Sequence, residues 1–234
     1  MTEHDCSDFW KTTDYSSTPV WLHYALRFGD SDLALEAIRD NPGLLEARFS
    51  GNTTPLQDAA YGGRNSVADS LLSMGAKLDF ISAIALKRKR EIVAMLLANP
   101  SLIRRRSPDQ FPAIHMAARY GDAEIVDLLL SKGADVNDQS NPRSLTPLFL
   151  AWNEPRENAE LLLGRGANVH ARSKHGFTVL HSAAGSGRLA LVRLLLAHGA
   201  CLTAQSDGRQ TPWALAVRNG HRDVAALLND GARI

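Results

Sequence analysis

Cysteine is nearly absent from this chain: there are two in 234 residues, Cys6 and Cys201, one near each end. A disulfide framework is therefore excluded, and both are read as free thiols in a reducing compartment, the cytoplasm. Aromatic residues are few, at 6%. No apolar run approaches the roughly 20 residues that cross a bilayer. The opening stretch has four acids against one lysine and no apolar core, unlike a secretory leader. With a formal net charge of +1, no overall field draws the chain to nucleic acid or membrane. Catalytic signatures are missing too: there is no G-x-S-x-G, P-loop, C-x-x-C or dinucleotide fingerprint. The nearest nucleophile–base pair, His181-Ser182, consists of adjacent residues that a helix points in different directions. The expectation is a protein that is not an enzyme and needs no cofactor or metal.

What the chain does have is a repeated pattern. Within His175–Ala200 a His-Gly turn leads into a short helix, a glycine turn and a second, more apolar helix. Thr178 is placed to cap the first helix. Gly187 lets the chain reverse, because glycine takes positive φ at no steric cost. Leu191, Val192, Leu194, Leu195 and Leu196 form an apolar face, and Gly199 stands where a left-handed C-terminal cap belongs. So small a unit cannot bury that face alone. Slots equivalent to His181 fall at His23, Gln57, Ser82, His115, Phe149 and Ala214, with successive spacings of 34, 25, 33, 34, 32 and 33 along the chain. Such a period predicts an all-α solenoid of stacked helix pairs. Its units run over about 18–49, 50–79, 80–108, 109–141, 142–174, 175–207 and 208–234, as a single domain. Residues 1–17, with Phe9, Trp10 and Tyr15, are either an N-terminal cap or a tail.

Three features recur in register. A Thr-Pro start appears at Thr54-Pro55, Thr146-Pro147 and Thr211-Pro212, suiting a capped helix whose first position needs no donor. Small pairs that let first helices approach stand at Ala59-Ala60, Ala117-Ala118 and Ala183-Ala184. Gly-Ala stops recur at Gly75, Gly133, Gly166, Gly199 and Gly231. On these motifs (TPLQDAA, AIHMAARYG with SKGADVN, TPLFLA with GRGANV, TVLHSAAGSG with AHGA) the chain resembles ankyrin-repeat proteins over about residues 18–234. The resemblance implies antiparallel helix pairs with β-hairpin or turn fingers and a concave face of fingers and first helices. It also implies a non-enzymatic module that binds another protein there.

Departures from the pattern are expected to alter the structure locally. Units one and three end in Asn-Pro (Asn41-Pro42, Asn99-Pro100), which stops the helix but changes the hairpin. The connection Lys77–Phe80 is too short for a full finger. Pro155 can begin the second helix of unit five, and Arg222, Asp223, Asn229 and Asp230 make the last helix a polar end cap.

The histidines His23, His115 and His181 share one slot, but copies two units apart would be about 20 Å apart when stacked helices lie 8–10 Å from each other. They cannot share a metal, whose ligand nitrogens sit about 2 Å away. Each is read as a brace to the Thr hydroxyl and neighbouring hairpin backbone. The resemblance places the two residues before each turn glycine at the concave end of the first helix. These are Arg27-Phe28, Tyr61-Gly62, Leu86-Lys87, Arg119-Tyr120, Trp152-Asn153, Gly185-Ser186 and Arg218-Asn219. Tyr and Arg anchor protein interfaces through large buried area and a polar handle. Arg27, Tyr61, Lys87, Arg119 and Tyr120 are therefore the candidate partner-binding residues, with Phe28 and Trp152 read as packing between repeats. Residues 80–108 hold seven basic side chains and one acid, a local +6. This makes Arg88, Lys89, Arg90, Arg104, Arg105 and Arg106 a candidate basic patch. The alternative function is thus polyanion or nucleic-acid binding through unit three, although no aromatic lies within either run to stack on bases. The favoured partner is a protein, not nucleic acid or membrane, gripped by a monomer.

Overall fold

The computed structural model describes residues 20–29, 31–49, 51–151 and 157–231. Residues 1–17, Trp152, Asn153 and Pro155 lie outside them, as does the side chain of Phe28. Fourteen α-helices are found among the described residues. In chain order they pair as α1 Val20–Phe28 with α2 Ser31–Asp40, α3 Pro55–Tyr61 with α4 Asn65–Ser73, and α5 Phe80–Ala85 with α6 Lys89–Ala98. There follow α7 Ala113–Tyr120 with α8 Ala123–Ser131, α9 Pro147–Leu150 with α10 Glu157–Gly164, α11 Val179–Gly185 with α12 Leu189–Ala197, and α13 Pro212–Arg218 with α14 Arg222–Gly231. The expected all-α architecture is present. Among the described residues the fingers are turns, with one isolated bridge, between Arg106 and Pro112, in place of a hairpin ladder.

Contacts divide the chain into two compact units, Met1–Met95 and Leu96–Ile234. In the first, α1 packs on α3 and α3 on α5, while α2 packs on α4. In the second, first helices again meet first helices (α7 with α9, α9 with α11, α11 with α13) and second helices meet second helices (α8 with α10, α12 with α14). The small pairs make this spacing possible: Ala59, Ala60, Ala117, Ala118, Ala183 and Ala184 are all fully or almost fully buried. The apolar stripe on α12 is narrower than the leucine run suggests, with Leu191, Val192 and Leu195 buried and Leu194 and Leu196 only half-buried.

Helix starts follow the cap chemistry. Thr54 accepts a hydrogen bond from the Gln57 N–H at 3.3 Å, and its own N–H donates to Gln57 Oε1 at 3.0 Å. The short link before α5 has no Thr, and Asp79 takes its role. Its Oδ1 accepts from the N–H groups of Ile81 and Ser82 at 2.8 and 3.0 Å, and its Oδ2 accepts from Gln57 Nε2 at 3.1 Å. Gln57 thus ties its unit to the next across a connection too short for a finger. At both Asn-Pro endings the α-helix stops and a short 3-10 helix follows, over Pro42–Glu46 and Pro100–Arg104.

The last unit differs from the earlier copies on one helix. The polar outer face of α14 is present, with Arg222, Asp223 and Asn229 exposed. On α13, however, Trp213 and Val217 are 44% and 50% exposed, at slots filled in α3 and α11 by the almost fully buried Leu56, Ala60, Leu180 and Ala184.

Candidate functional site

The ends of the first helices gather two Arg–Tyr contacts. In the first compact unit, Arg27 at the end of α1 sets its guanidinium carbon 6.0 Å from the ring centre of Tyr61 at the end of α3. In the second, Arg119 lies 5.0 Å from the ring centre of Tyr120, its neighbour in α7. All four side chains are half-buried. A cation over a ring face is attracted by the ring quadrupole and holds both side chains in place, which lowers the entropy lost when a partner covers them.

The backbone fixes these positions. Gly62 follows Tyr61, and a Cβ there would press on the backbone of Arg27, so α1 and α3 close to this distance only because position 62 has no side chain. Three units are then tied, at or just after this turn, to the unit before. Arg64 donates to Gly29 O and Ser31 Oγ at 3.0 and 2.9 Å. Asn158 donates to Ala118 O and Gly121 O at 3.2 and 3.3 Å. Asn219 and His221 reach Gly185 O at 2.6 and 3.1 Å.

Lys87 stands one place further along than the sequence count puts it. The N–H groups of Lys87 and Arg88 bond the carbonyls of Ile84 and Ala83, just as those of Gly63 and Arg64 bond Ala60 and Ala59. Lys87 therefore occupies the turn-glycine slot, with φ 57°, and is exposed. The reason is a residue lost within α5, which has 6 where α3, α11 and α13 have 7. The residues at the end of α5 are Ala85 and Leu86, both buried, so no polar anchor stands there.

The basic residues are not equivalent. Arg88 pairs with Asp69. Arg106 donates to the carbonyl and hydroxyl of Ser140 and to Gln110 O, which joins consecutive fingers. Lys89, Arg90, Arg104 and Arg105 are exposed. Among the described residues no group of three His, Cys, Asp or Glu side chains is arranged to hold a metal ion.

The histidine slot is used in three ways. His181 Nε2 lies 2.9 Å from Gln210 O, and its Nδ1 lies 3.1 Å from the Thr178 N–H and 2.9 Å from the Thr178 hydroxyl. This pattern requires the proton on Nε2. His115 makes the same finger bond to Leu145 O at 2.7 Å, but Pro112 replaces the threonine and offers neither N–H nor hydroxyl, so the buried Nδ1 has no hydrogen-bond partner. Burial holds both imidazoles below the usual histidine pKa, against the raising effect of the carbonyl bonds. His23 turns instead to a carboxylate, with Nδ1 2.5 Å from Oδ2 of Asp58. Asp58 is completely buried in a slot held elsewhere by Met116, Leu150 and Leu215. Its burial raises its pKa above the usual aspartate value, while the His23 bond pulls the other way. Sequence reading did not single out Asp58, although the signal was there: an acid inside TPLQDAA where the other copies are mostly apolar.

The geometry agrees with the comparisons. The family profile described as ankyrin repeats (3 copies) matches residues 80–173 and 153–234, and the chain belongs to this family. Over 129 residues, 55% of the chain, it is 38% identical to a B-cell lymphoma 3 protein homolog of Mus musculus, covering 28% of that protein. It is 34% identical over 48% of its length to a transient receptor potential cation channel subfamily A member 1 homolog of Caenorhabditis elegans, covering 9% of that protein. It is 32% identical over 51% of its length to human ankyrin repeat and SOCS box protein 6, covering 32% of that protein. The chain thus spans a third or less of these relatives. Among the described residues no helix is long and apolar enough to cross a membrane.

Proposed function

We propose that the chain is a non-enzymatic module that binds a protein partner through the concave-side ends of its first helices. The observation that carries this reading is the pair of Arg–Tyr contacts, Arg27 over Tyr61 and Arg119 over Tyr120. Half-buried aromatic and arginine side chains, held in place before binding, are what an interface anchor requires. Membership of a family of protein-interaction repeats supports the same class of partner. Exposed Lys87 adds a charge in the turn of unit three. On this reading the module works as a monomer in the cytoplasm, where the free, exposed thiol of Cys201 is stable. Polyanion binding has weaker support, because Arg88 and Arg106 already serve Asp69 and Ser140.

The test is affinity capture from native lysate with the wild type and a Tyr61→Ala, Arg119→Ala, Tyr120→Ala variant. Proteins retained by the wild type should be lost by the variant while its Tm changes by no more than a few degrees. Identical retention by both would refute the assignment of this face.

A further inference from the structure

A cavity of about 420 Å³ lies between consecutive fingers, and all its lining residues belong to the Leu96–Ile234 unit. Its apolar part is formed by Pro112 and Ile114, which are buried, and by Ile103 and Ala134, which are half-buried. At exposed positions of the lining stand Arg104 and Lys132, whose side chains enter no hydrogen bond or ion pair among the described residues. Arg106, also in the lining, is fixed by Ser140 Oγ at 2.9 Å and Gln110 O at 2.9 Å. The two carboxylates present, Asp135 and Asp138, each cap their own turn, accepting the N–H groups of Asn137 and Ser140 at 2.8 and 2.6 Å.

We propose that this cavity is a peptide subsite, taking an aliphatic side chain with an adjacent carboxylate from an acidic segment of a partner protein. The proposal builds on the protein-binding reading but uses a different surface, since none of Arg27, Tyr61, Arg119 and Tyr120 lines the cavity. Its volume falls in the range of pockets that enclose small ligands, about 300–1,000 Å³, and suits one branched side chain with its backbone. The apolar residues reward an aliphatic group by removing it from water. With Arg104, Arg106 and Lys132 against Asp135 and Asp138, the lining keeps an excess of one positive charge. Arg104 and Lys132 are free to meet a carboxylate, and the two aspartates keep lone pairs for a peptide N–H. A chain of phosphates fits less well. Phosphates offer no apolar group to Ile103, Pro112, Ile114 and Ala134, and no aromatic lines the cavity to stack a base.

The experiment titrates the whole chain with acetyl-Leu-Glu-Glu-amide and follows backbone amide NMR shifts. Shifts should centre on Ile103, Ile114 and Ala134. Affinity should fall at least ten-fold in an Arg104→Glu, Lys132→Glu variant that melts like the wild type. Acetyl-Leu-Gln-Gln-amide and acetyl-Ser-Glu-Glu-amide should each bind the wild type at least ten-fold more weakly. The Tyr61→Ala, Arg119→Ala, Tyr120→Ala variant should bind the peptide as the wild type does. Thus a failed concave face and a failed cavity give different results. Unchanged affinity after charge reversal overturns the proposal, and so does equal binding of a ten-nucleotide deoxythymidine strand or loss of binding in the triple alanine variant.

Discussion

Replacing Gly62 with alanine sets two effects of opposite sign against each other. Gly62 caps α3 with φ −81° and ψ −4°, a right-handed conformation that alanine adopts freely. Backbone entropy alone would make Gly62→Ala stabilising by about 0.5–1 kcal/mol. Packing argues the other way. The added Cβ would lie 3.2 Å from both Cα and the carbonyl carbon of Arg27, and nearer still to its oxygen. Carbon atoms pack best at about 3.5–4.0 Å, and these neighbours are backbone, which has no rotamer to escape into. Overpacking of this kind costs about 1–3 kcal/mol, so the steric effect wins, with a net loss of about 1–2 kcal/mol. For a chain of this size that lowers Tm by about 2–8 °C. Gly185→Ala is the internal control. It ends α11, and its added Cβ would meet Asn219 and Leu215 at 3.7 Å, an ordinary contact. That variant should gain about 0.5 kcal/mol. Thermal melts of both read the signs directly. Equal stability of Gly62→Ala and the wild type, or shifts of the two variants in the same direction, would refute the claim that bare backbone at position 62 sets the α1–α3 distance.

Two further outcomes follow from single side chains. Lys87→Gly should stabilise by about 0.5 kcal/mol in urea titration, because a side chain in the left-handed region costs about 1–2 kcal/mol and glycine's extra freedom returns about 0.5–1 of it. A loss of stability would mean that the exposed lysine side chain makes a contact that outweighs its backbone strain. For His181 the folded ring holds its proton less tightly than the unfolded one, so its contribution is fully present above pH 6.5 and is lost as pH falls from there towards the lowered folded value. Each such ring accounts for at most about 1.4 kcal/mol per pH unit. His181→Gln, which keeps the slot's cap chemistry as Gln57 does, should reduce the drop in urea midpoint between pH 7.5 and 5.5. His115 retains its own share, and the raised carboxyl of Asp58 acts with the opposite sign in both proteins. An undiminished drop would refute the assignment.

Most of the architecture could be read from the sequence because it rests on local chemistry. Thr-Pro starts, alanine pairs and Gly-Ala stops each act within a few residues, and a fixed period turns them into a stack. What could not be read depends on partners distant in sequence. Lys87 was displaced by one place because counting forward from Ser82 assumes a first helix of constant length, while the loss within α5 shows only in the bonds to Ile84 and Ala83. In place of strand ladders, consecutive fingers are joined by single bonds between residues distant in sequence, Lys174 N–H to Arg143 O and Asp207 N–H to His175 O, beside the His115 and His181 bonds to Leu145 and Gln210. Exposure of Trp213 and Val217 was hidden by the same regularity, since in α3 and α11 those slots are buried where α5 and α13 pack on them.

The arginines show why composition could not locate the site. A local +6 in residues 80–108 suggested a patch, yet guanidinium groups in this fold serve at least two purposes. Arg64 on Gly29 O, Arg106 on Ser140 O and Arg172 on Gln205 O each join a unit to a neighbour 33–35 residues away, donating to backbone that the period leaves open. Such arginines add to net charge but offer a partner little, because their donors are occupied and their orientation is fixed by the stack. Arg27 and Arg119 differ in contacting rings, which leaves an aromatic face and a charge together at a helix end. A charged side chain in a repeat protein is therefore first a candidate for the period-spaced bond. Only those that depart from it, by stacking on tyrosine or, like Arg104, by lining a cavity without a bond of their own, carry information about what the protein binds.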